Sequence, residues 1–362
     1  MHPWISLTVL ICGIVHTELS TAHPVITYSN VTGSRTRVKA VLSENFPDPS
    51  VIQVDGVWFA FATSGNGRNI QIAASSDFVN HKWKLLKDLD VLPDPGPWAV
   101  NDGNIWAPDL VELVSLLCRR SIFKTHRHQD DGSFVMYYAG PHVNNTSRHC
   151  IGTASSKSIL GPFAASREPF ACPLYEGGAI DPAGFIDPRT GNMYVVYKVD
   201  GNSLNTGGGP CNGPGLDGYY PTPIRLQQVS KHDGITHIGE AIQLLDRGPN
   251  DGPLVEAPSI FYSEKYGLYF MTFSSNCYST DLYDIGFAWS TELETEFNKS
   301  THPLMTTSMG MVTGPGGADM TLDGRFALFH GTVGHDGSQP IRYMYAAEAD
   351  VTGFDMVVAA IL

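Results

Sequence analysis

The sequence predicts an all-β chain folded as a five-bladed β-propeller, and three observations carry the prediction. Short apolar runs rich in Tyr (15), Phe (17) and Gly (37) recur along the 362 residues, and no stretch of ten holds a helical apolar stripe. One strand–turn–strand unit repeats five times. Three of the copies open on a carboxylate and a proline at the head of an apolar run: "FPDPSVIQV", "AIDPAGFID" and "PLVEAPSIFY".

Each unit has an apolar strand, a turn, a second strand rich in Tyr, Phe or Trp, a loop, and a third strand ending near Ser or Thr. The first copy is "DPSVIQVDGVWFAFATSG" followed by "NIQIAASSDF". The second is "APDLVEL" and, after an interruption, "DGSFVMYYAG" with "CIGTASSKSILGPF". The third and fourth begin "DPAGFIDPRTGNMYVVYKVD" and "EAPSIFYSEKYGLYFMTFSS"; the fifth, weaker, begins "GGADMTLDGRFALFHGTV". Three or four antiparallel strands repeated in this way close as blades around an axis. An open sandwich gives no reason for successive units to open alike.

The interruption in the second copy is "VSLLCRRSIFKTHRHQ", Val114 to Gln129, a basic stretch in an acidic chain. Its excision leaves a strand, an Asp-Gly turn and a strand. The prolines heading the first four copies, Pro49, Pro108, Pro182 and Pro258, stand 59, 74 and 76 residues apart, and the excision turns 74 into 58. Val codons begin GT and a Gln codon can end AG, so residues 114–129 read as a translated, unspliced intron. The alternatives are a genuine surface insertion, which loops tolerate well, or a chain that the insertion keeps from folding.

The net charge of -13 argues against nucleic acid and anionic membranes as partners, since both require clustered Lys and Arg. An uncharged substrate suits such a surface, and a monomer is expected. The apolar run Trp4 to Val15, followed by Ser20-Thr21-Ala22, reads as a signal peptide over 1–22 and implies secretion. The single propeller domain then covers 23–362. Sequons at Asn30, Asn144, Asn145 and Asn298 agree with an extracellular fate. Outside the leader and the insertion stand Cys150, Cys172, Cys211 and Cys277. The preferred pairing is Cys150–Cys172 with Cys211–Cys277, one of three connectivities.

In a propeller the innermost strand of each blade lines the channel, so first residues of successive blades converge on one rim. Asp48, Asp181 and Glu256 are expected at one equivalent position in blades one, three and four, with proline holding the preceding residue extended. Carboxylates gathered in an uncharged channel bind a cation or do acid–base chemistry. Two separated acids are what glycoside hydrolysis requires. Trp106, two residues before Pro108, is a candidate platform for a sugar face, and Arg225 and His330 are further candidate substrate contacts. The Gly-rich stretch Asn205 to Pro221 reads as a rim loop; no helix or Lys follows its triple Gly, which argues against a phosphate cradle.

"FPDPS", "IWAPDL", "AIDP" and "VEAPSI", in that order, resemble the signature set of family-43 glycoside hydrolases. The resemblance runs from Asp48 to the end of the fifth copy. It implies a five-bladed propeller that cleaves arabinofuranosides, arabinan or xylosides with inversion. Asp48 then matches the general base, Glu256 the general acid, and Asp181 the third acid that orients the general acid and tunes its pKa. No C-terminal sandwich follows the propeller, which favours an α-L-arabinofuranosidase or arabinanase over a β-xylosidase; a non-catalytic carbohydrate-binding propeller is the further alternative. Many relatives carry "GPGH" or "GTGH" before the fifth blade, with that His near a central calcium. Here Gly316 and Gly317 stand in its place, so no cofactor is expected and a structural calcium is doubtful.

Overall fold

The computed structural model describes residues 38–80, 83–113, 132–205, 208–214 and 218–362. Five four-stranded antiparallel sheets make up the fold, each in sequence order from the channel outward. Blade one holds β1 (Ser50–Val54), β2 (Val57–Ala62), β3 (Gln71–Ser75) and β4 (Lys84–Leu85). Blade two holds β5 (Trp106–Leu113), β6 (Ser133–His142), β7 (Asn145–Ser156) and β8 (Ala164–Ala165). Blade three runs through β9 (Ala179–Ile186), β10 (Met193–Val199), β11 (Ile224–Val229) and β12 (His237–Leu245). Blade four has β13 (Val255–Ser263), β14 (Leu268–Ser275), β15 (Asp284–Ser290) and β16 (Asn298–Lys299). Blade five has β17 (Gly316–Met320), β18 (Phe326–Asp336), β19 (Gln339–Thr352) and β20 (Asp355–Ile361). The inner strands β1, β5, β9, β13 and β17 each contact the next, and β17 returns to β1.

Apolar faces of neighbouring blades form the core. Five clusters of buried side chains lie between successive blades, such as Phe261, Phe270, Phe287 and Phe329 between blades four and five. Each fully buried aromatic of this kind stabilises by roughly 1.5–3 kcal/mol, so the sheets cohere without a helical layer. The ring is closed by the chain start: Val41 N–H donates to Met344 O and Phe46 N–H to Arg342 O, laying residues 41–46 against β19.

Fourth strands escape a repeat-based reading because β4, β8 and β16 are only two residues long. The segment 114–129 lies outside the described residues. Its flanks do not: Leu113 pairs directly with Ser133 in the β5–β6 ladder, at the end of β5 remote from the strand heads.

At the strand heads the structure corrects the expected geometry. Asp48 (φ 53), Ala107 (φ 42), Asp181 (φ 54), Ala257 (φ 51) and Gly317 (φ 55) are all left-handed rather than extended, one in each blade. The ladders of blades two to five skip at these points, leaving the left-handed residue and its successor unpaired as a bulge. An N–H released from the ladder needs another acceptor, and the preceding blade supplies it. His330 Nδ1 takes the Asp48 N–H at 3.1 Å, Thr63 Oγ1 that of Ala107 at 2.8 Å, Asp181 Oδ2 that of Ala257 at 3.0 Å, and Ser274 Oγ that of Gly317 at 2.9 Å. Local sterics before proline are thereby overridden by a bond to the neighbouring blade. The equivalent of Asp48 and Asp181 in blade four is therefore Ala257, and Glu256 stands one residue earlier, beside Trp106 and Gly316 in the other blades.

Candidate active site

Asp48, where blade five meets blade one, is held by fixed donors. Arg342 Nη1 on β19 lies 3.2 Å from Oδ1, and Thr63 Oγ1 donates to Oδ2 at 2.6 Å. Burial alone lifts this carboxyl, but the Arg342 guanidinium and the Thr63 hydroxyl hold it well below the usual carboxylate range. Asp48 is thus ionised across the pH range of any ordinary hydrolase. His330 is fully buried, and burial pushes its pKa down, so the ring is neutral. Its Nδ1 accepts the Asp48 N–H, and the 3.3 Å approach to Asp48 Oδ1 is a contact rather than an ion pair. The structure places His330 beneath Asp48, where it supports the backbone of that residue.

Glu256, on β13, is surrounded differently. Its Oε2 lies 3.0 Å from Lys198 Nζ and its Oε1 accepts from the Tyr283 hydroxyl at 2.8 Å. Lys198, on β10, is fully buried and also reaches Asp200 Oδ1 at 2.9 Å. Burial opposes the ammonium charge, but Asp200 first, then Glu256 and Asp181, push its pKa above the ordinary lysine value, so it stays charged. Asp181, on β9, is pushed well up by burial and by the charges of Glu256 and Asp48, with Lys198 opposing. Its Oδ2 takes the N–H of Ala257, the residue after Glu256, so it anchors the peptide that carries the acid.

The three acids named from the sequence are therefore brought to one rim with separate partners. Trp106 is at the same level in blade two, half-buried, with one face stacked on His149 at a centroid distance of 3.5 Å. Burial lowers the His149 pKa to about 4, so a neutral imidazole backs the indole. Arg225 is turned to other work: both its terminal nitrogens bind Glu176, at 3.1 and 2.5 Å. The preferred disulfides, Cys150–Cys172 and Cys211–Cys277, are both formed. The second ties the Gly-rich rim loop to the turn that carries Tyr278 and Tyr283, with the Arg342 guanidinium 5.2 Å over the Tyr278 ring.

Just inside the strand heads the channel narrows to a cavity of about 40 Å³ lined by Asp48, Asp109, Asp181 and Asp319 among others. Asp109 and Asp319 are tied to neighbouring blades, Asp109 Oδ2 taking the Gly184 N–H and Asp319 Oδ2 the Val51 N–H. Toward a metal there is one observation: His330 Nε2 is buried with no partner among the described residues. Calcium prefers six to eight oxygen ligands, and among the described residues no three His, Cys, Asp or Glu side chains cluster as a metal site. The donor set does not fit a protein-caged calcium.

Lys198, Asp200, Tyr283, Thr63 and Arg342 were not apparent as site residues from sequence. Lys198 left a signal, a lysine inside the apolar run "MYVVYKVDG". A charge at such a position is paired or functional.

The chain is similar to known proteins along most of its length. The chain is 24% identical over 319 residues to extracellular endo-α-(1→5)-L-arabinanase 1 of Bacillus subtilis strain 168, covering 82% of this chain and 83% of that protein. Among solved structures, a thermostable family-43 glycoside hydrolase superposes with a TM-score of 0.68 at 22% identity, over 90% of this chain and 96% of the other. An endo-1,4-β-xylanase from Bacteroides thetaiotaomicron gives a TM-score of 0.62 at 20% identity, over 89% and 97%. The family model for glycosyl hydrolases family 43 matches residues 38–348. A five-bladed ring whose acids stand at the heads of its inner strands, matched by that model along most of its length, belongs to glycosyl hydrolase family 43.

Proposed function

We propose that the protein is a secreted, inverting α-L-arabinofuranosidase or arabinanase acting on arabinan or arabinose side chains of plant cell-wall polysaccharide. The observation that carries this reading is the unequal treatment of the acids across one rim. Asp48, kept ionised by Arg342, is the general base that takes a proton from water as it attacks the anomeric carbon. Glu256 is the general acid that protonates the departing glycosidic oxygen, and Asp181 holds its peptide in place. Trp106 offers its free face to a sugar ring. Arabinan is favoured over xylan because the arabinanase likeness is one of sequence across most of both chains, whereas the xylanase likeness is one of fold. Secretion is supported by the signal-like start, the two disulfides and the extracellular relative.

The test is a panel of nitrophenyl α-L-arabinofuranoside, nitrophenyl β-D-xyloside and linear arabinan, with product anomers read by NMR. Arabinoside cleavage with inverted configuration is expected. Retained configuration overturns the mechanism, and faster xyloside cleavage overturns the substrate.

A further inference from the structure

A general acid must carry a proton on an oxygen that can release it toward the substrate, and the two oxygens of Glu256 differ in this respect. Oε2 faces the Lys198 ammonium, which has three N–H donors and no lone pair. A proton on Oε2 meets hydrogen against hydrogen. Oε1 faces the Tyr283 hydroxyl, which both donates and accepts. Ser274 brings a second hydroxyl beside that of Tyr283, whose ring stacks on His330 at 5.7 Å with 10° between the planes. A chain of contacts through Tyr283 and His330 thus links Oε1 to Asp48, whereas Oε2 faces Lys198 of blade three.

We propose that Lys198 and its counterion Asp200 confine the transferable proton of Glu256 to Oε1, where the Tyr283 hydroxyl holds it until the leaving oxygen takes it. The inference rests on the reading of Glu256 as the acid. Before reaction Oε1–H donates to Tyr283, which donates on to Ser274. During reaction the Oε1–H bond breaks and its electron pair stays on Oε1. The proton bonds the glycosidic oxygen, whose bond to the anomeric carbon breaks with both electrons leaving on that oxygen. Asp48 meanwhile takes the proton of the attacking water. The hydroxyl pair then reverses: Ser274 donates to Tyr283 and Tyr283 to the new carboxylate. Asp200 completes the device, since it neutralises an ammonium that otherwise holds Glu256 in its ionised form. Lys198, Asp200 and Tyr283 are positioning residues; only Glu256 touches the substrate.

Other charged and titratable groups face the same point: Asp181 from blade three, Asp48 from blade one, Arg342 and the neutral His330 from blade five, and Tyr278 from the turn of blade four. They are common to all variants below. The experiment is kcat/KM against pH for the full chain on nitrophenyl arabinofuranoside and arabinan, with melting temperatures alongside. The alkaline limb reports loss of the acid's proton. Lys198→Met removes a donor to the carboxylate; Tyr283→Phe removes a hydroxyl whose charge-assisted bond to the ion is stronger than its bond to the protonated acid, and in both the limb moves to higher pH. Asp200→Asn leaves the ammonium uncompensated, and the limb moves to lower pH by about one unit or more. Lys198→Arg restores the wild-type limb. Limbs that stay in place while stability falls assign these residues a structural role and overturn the proposal, as does movement of all three in one direction. If Lys198→Met does not fold, the opposite shifts of Asp200→Asn and Tyr283→Phe decide alone. Full activity in Glu256→Gln instead overturns the assignment of the acid, a separate result.

Discussion

Around Asp48, blades five and one give a whole guanidinium to one carboxylate; around Glu256, blades three and four share one ammonium between two. The repeat unit is the same, and the difference lies in what each second and third strand sends inward. A carboxylate with its own cation stays charged and can only accept a proton. One whose cation is shared with Asp200 has beside it a hydroxyl, that of Tyr283, which can accept as well as donate. On the proposed reading, the two roles arise at adjacent positions of one strand-head backbone and are set by their surroundings.

The sharpest way to break this comparison is to remove each acid in turn. Asp48→Asn and Glu256→Gln are each expected to lower arabinan turnover by about 10²–10⁴-fold. A nitrophenyl substrate with a good leaving group should recover most of the loss in Glu256→Gln and none in Asp48→Asn. Equal recovery in both removes the distinction between base and acid.

Next in size is Arg342→Met. Because the guanidinium holds Asp48 low, its loss moves the acidic limb of kcat/KM upward, by about one pH unit or more. An unmoved acidic limb in a folded variant detaches Arg342 from the base.

Among the described residues, only the Glu256 side carries a staple to a neighbouring blade's turn. The Cys211–Cys277 bridge spans 66 residues of sequence and Cys150–Cys172 spans 22. Replacing both cysteines of the longer bridge by Ser should cost about 2–4 kcal/mol in chemical unfolding, more than the shorter one. The reverse order places the stabilisation elsewhere than in chain entropy.

The smallest effect concerns stability against pH. Burial lifts Asp319 from its ordinary 3.8 to about 6, so the folded chain holds a proton there that the unfolded chain has lost. Its contribution to stability therefore falls as pH rises from about 4 to 6 and is level above that. Asp48, being depressed, contributes above its ordinary 3.8 and loses that contribution as pH falls below it. Melting curves of Asp319→Asn should lack the first slope and those of Asp48→Asn the second.

The fold and the gathering of Asp48, Asp181 and Glu256 at one rim were legible in the sequence because proline-marked strand heads recur and can be counted. The fourth strands were not, since Lys84–Leu85 and its two-residue counterparts carry no periodicity. Lys198 was visible as a charge among apolar neighbours, but its partners were not: Glu256 lies 58 residues on and reaches it only through blade packing. Arg342 and His330 meet Asp48 across 294 and 282 residues, a juxtaposition created by ring closure alone. The left-handed heads were hidden for a related reason. Rules for residues before proline describe an isolated chain, and here a bond to the preceding blade overrides them.

Those five left-handed residues read as five addressable seats around one axis, two of them taken by aspartate. Ala107, Ala257 and Gly317 fill the rest. Aspartate accepts this backbone region more readily than alanine does. A carboxylate can therefore be written into blade two or four at little conformational cost, turning a three-acid rim into a four- or five-acid one. The charge of the channel is in this sense a programmable property, set one letter per blade while the scaffold stays as it is.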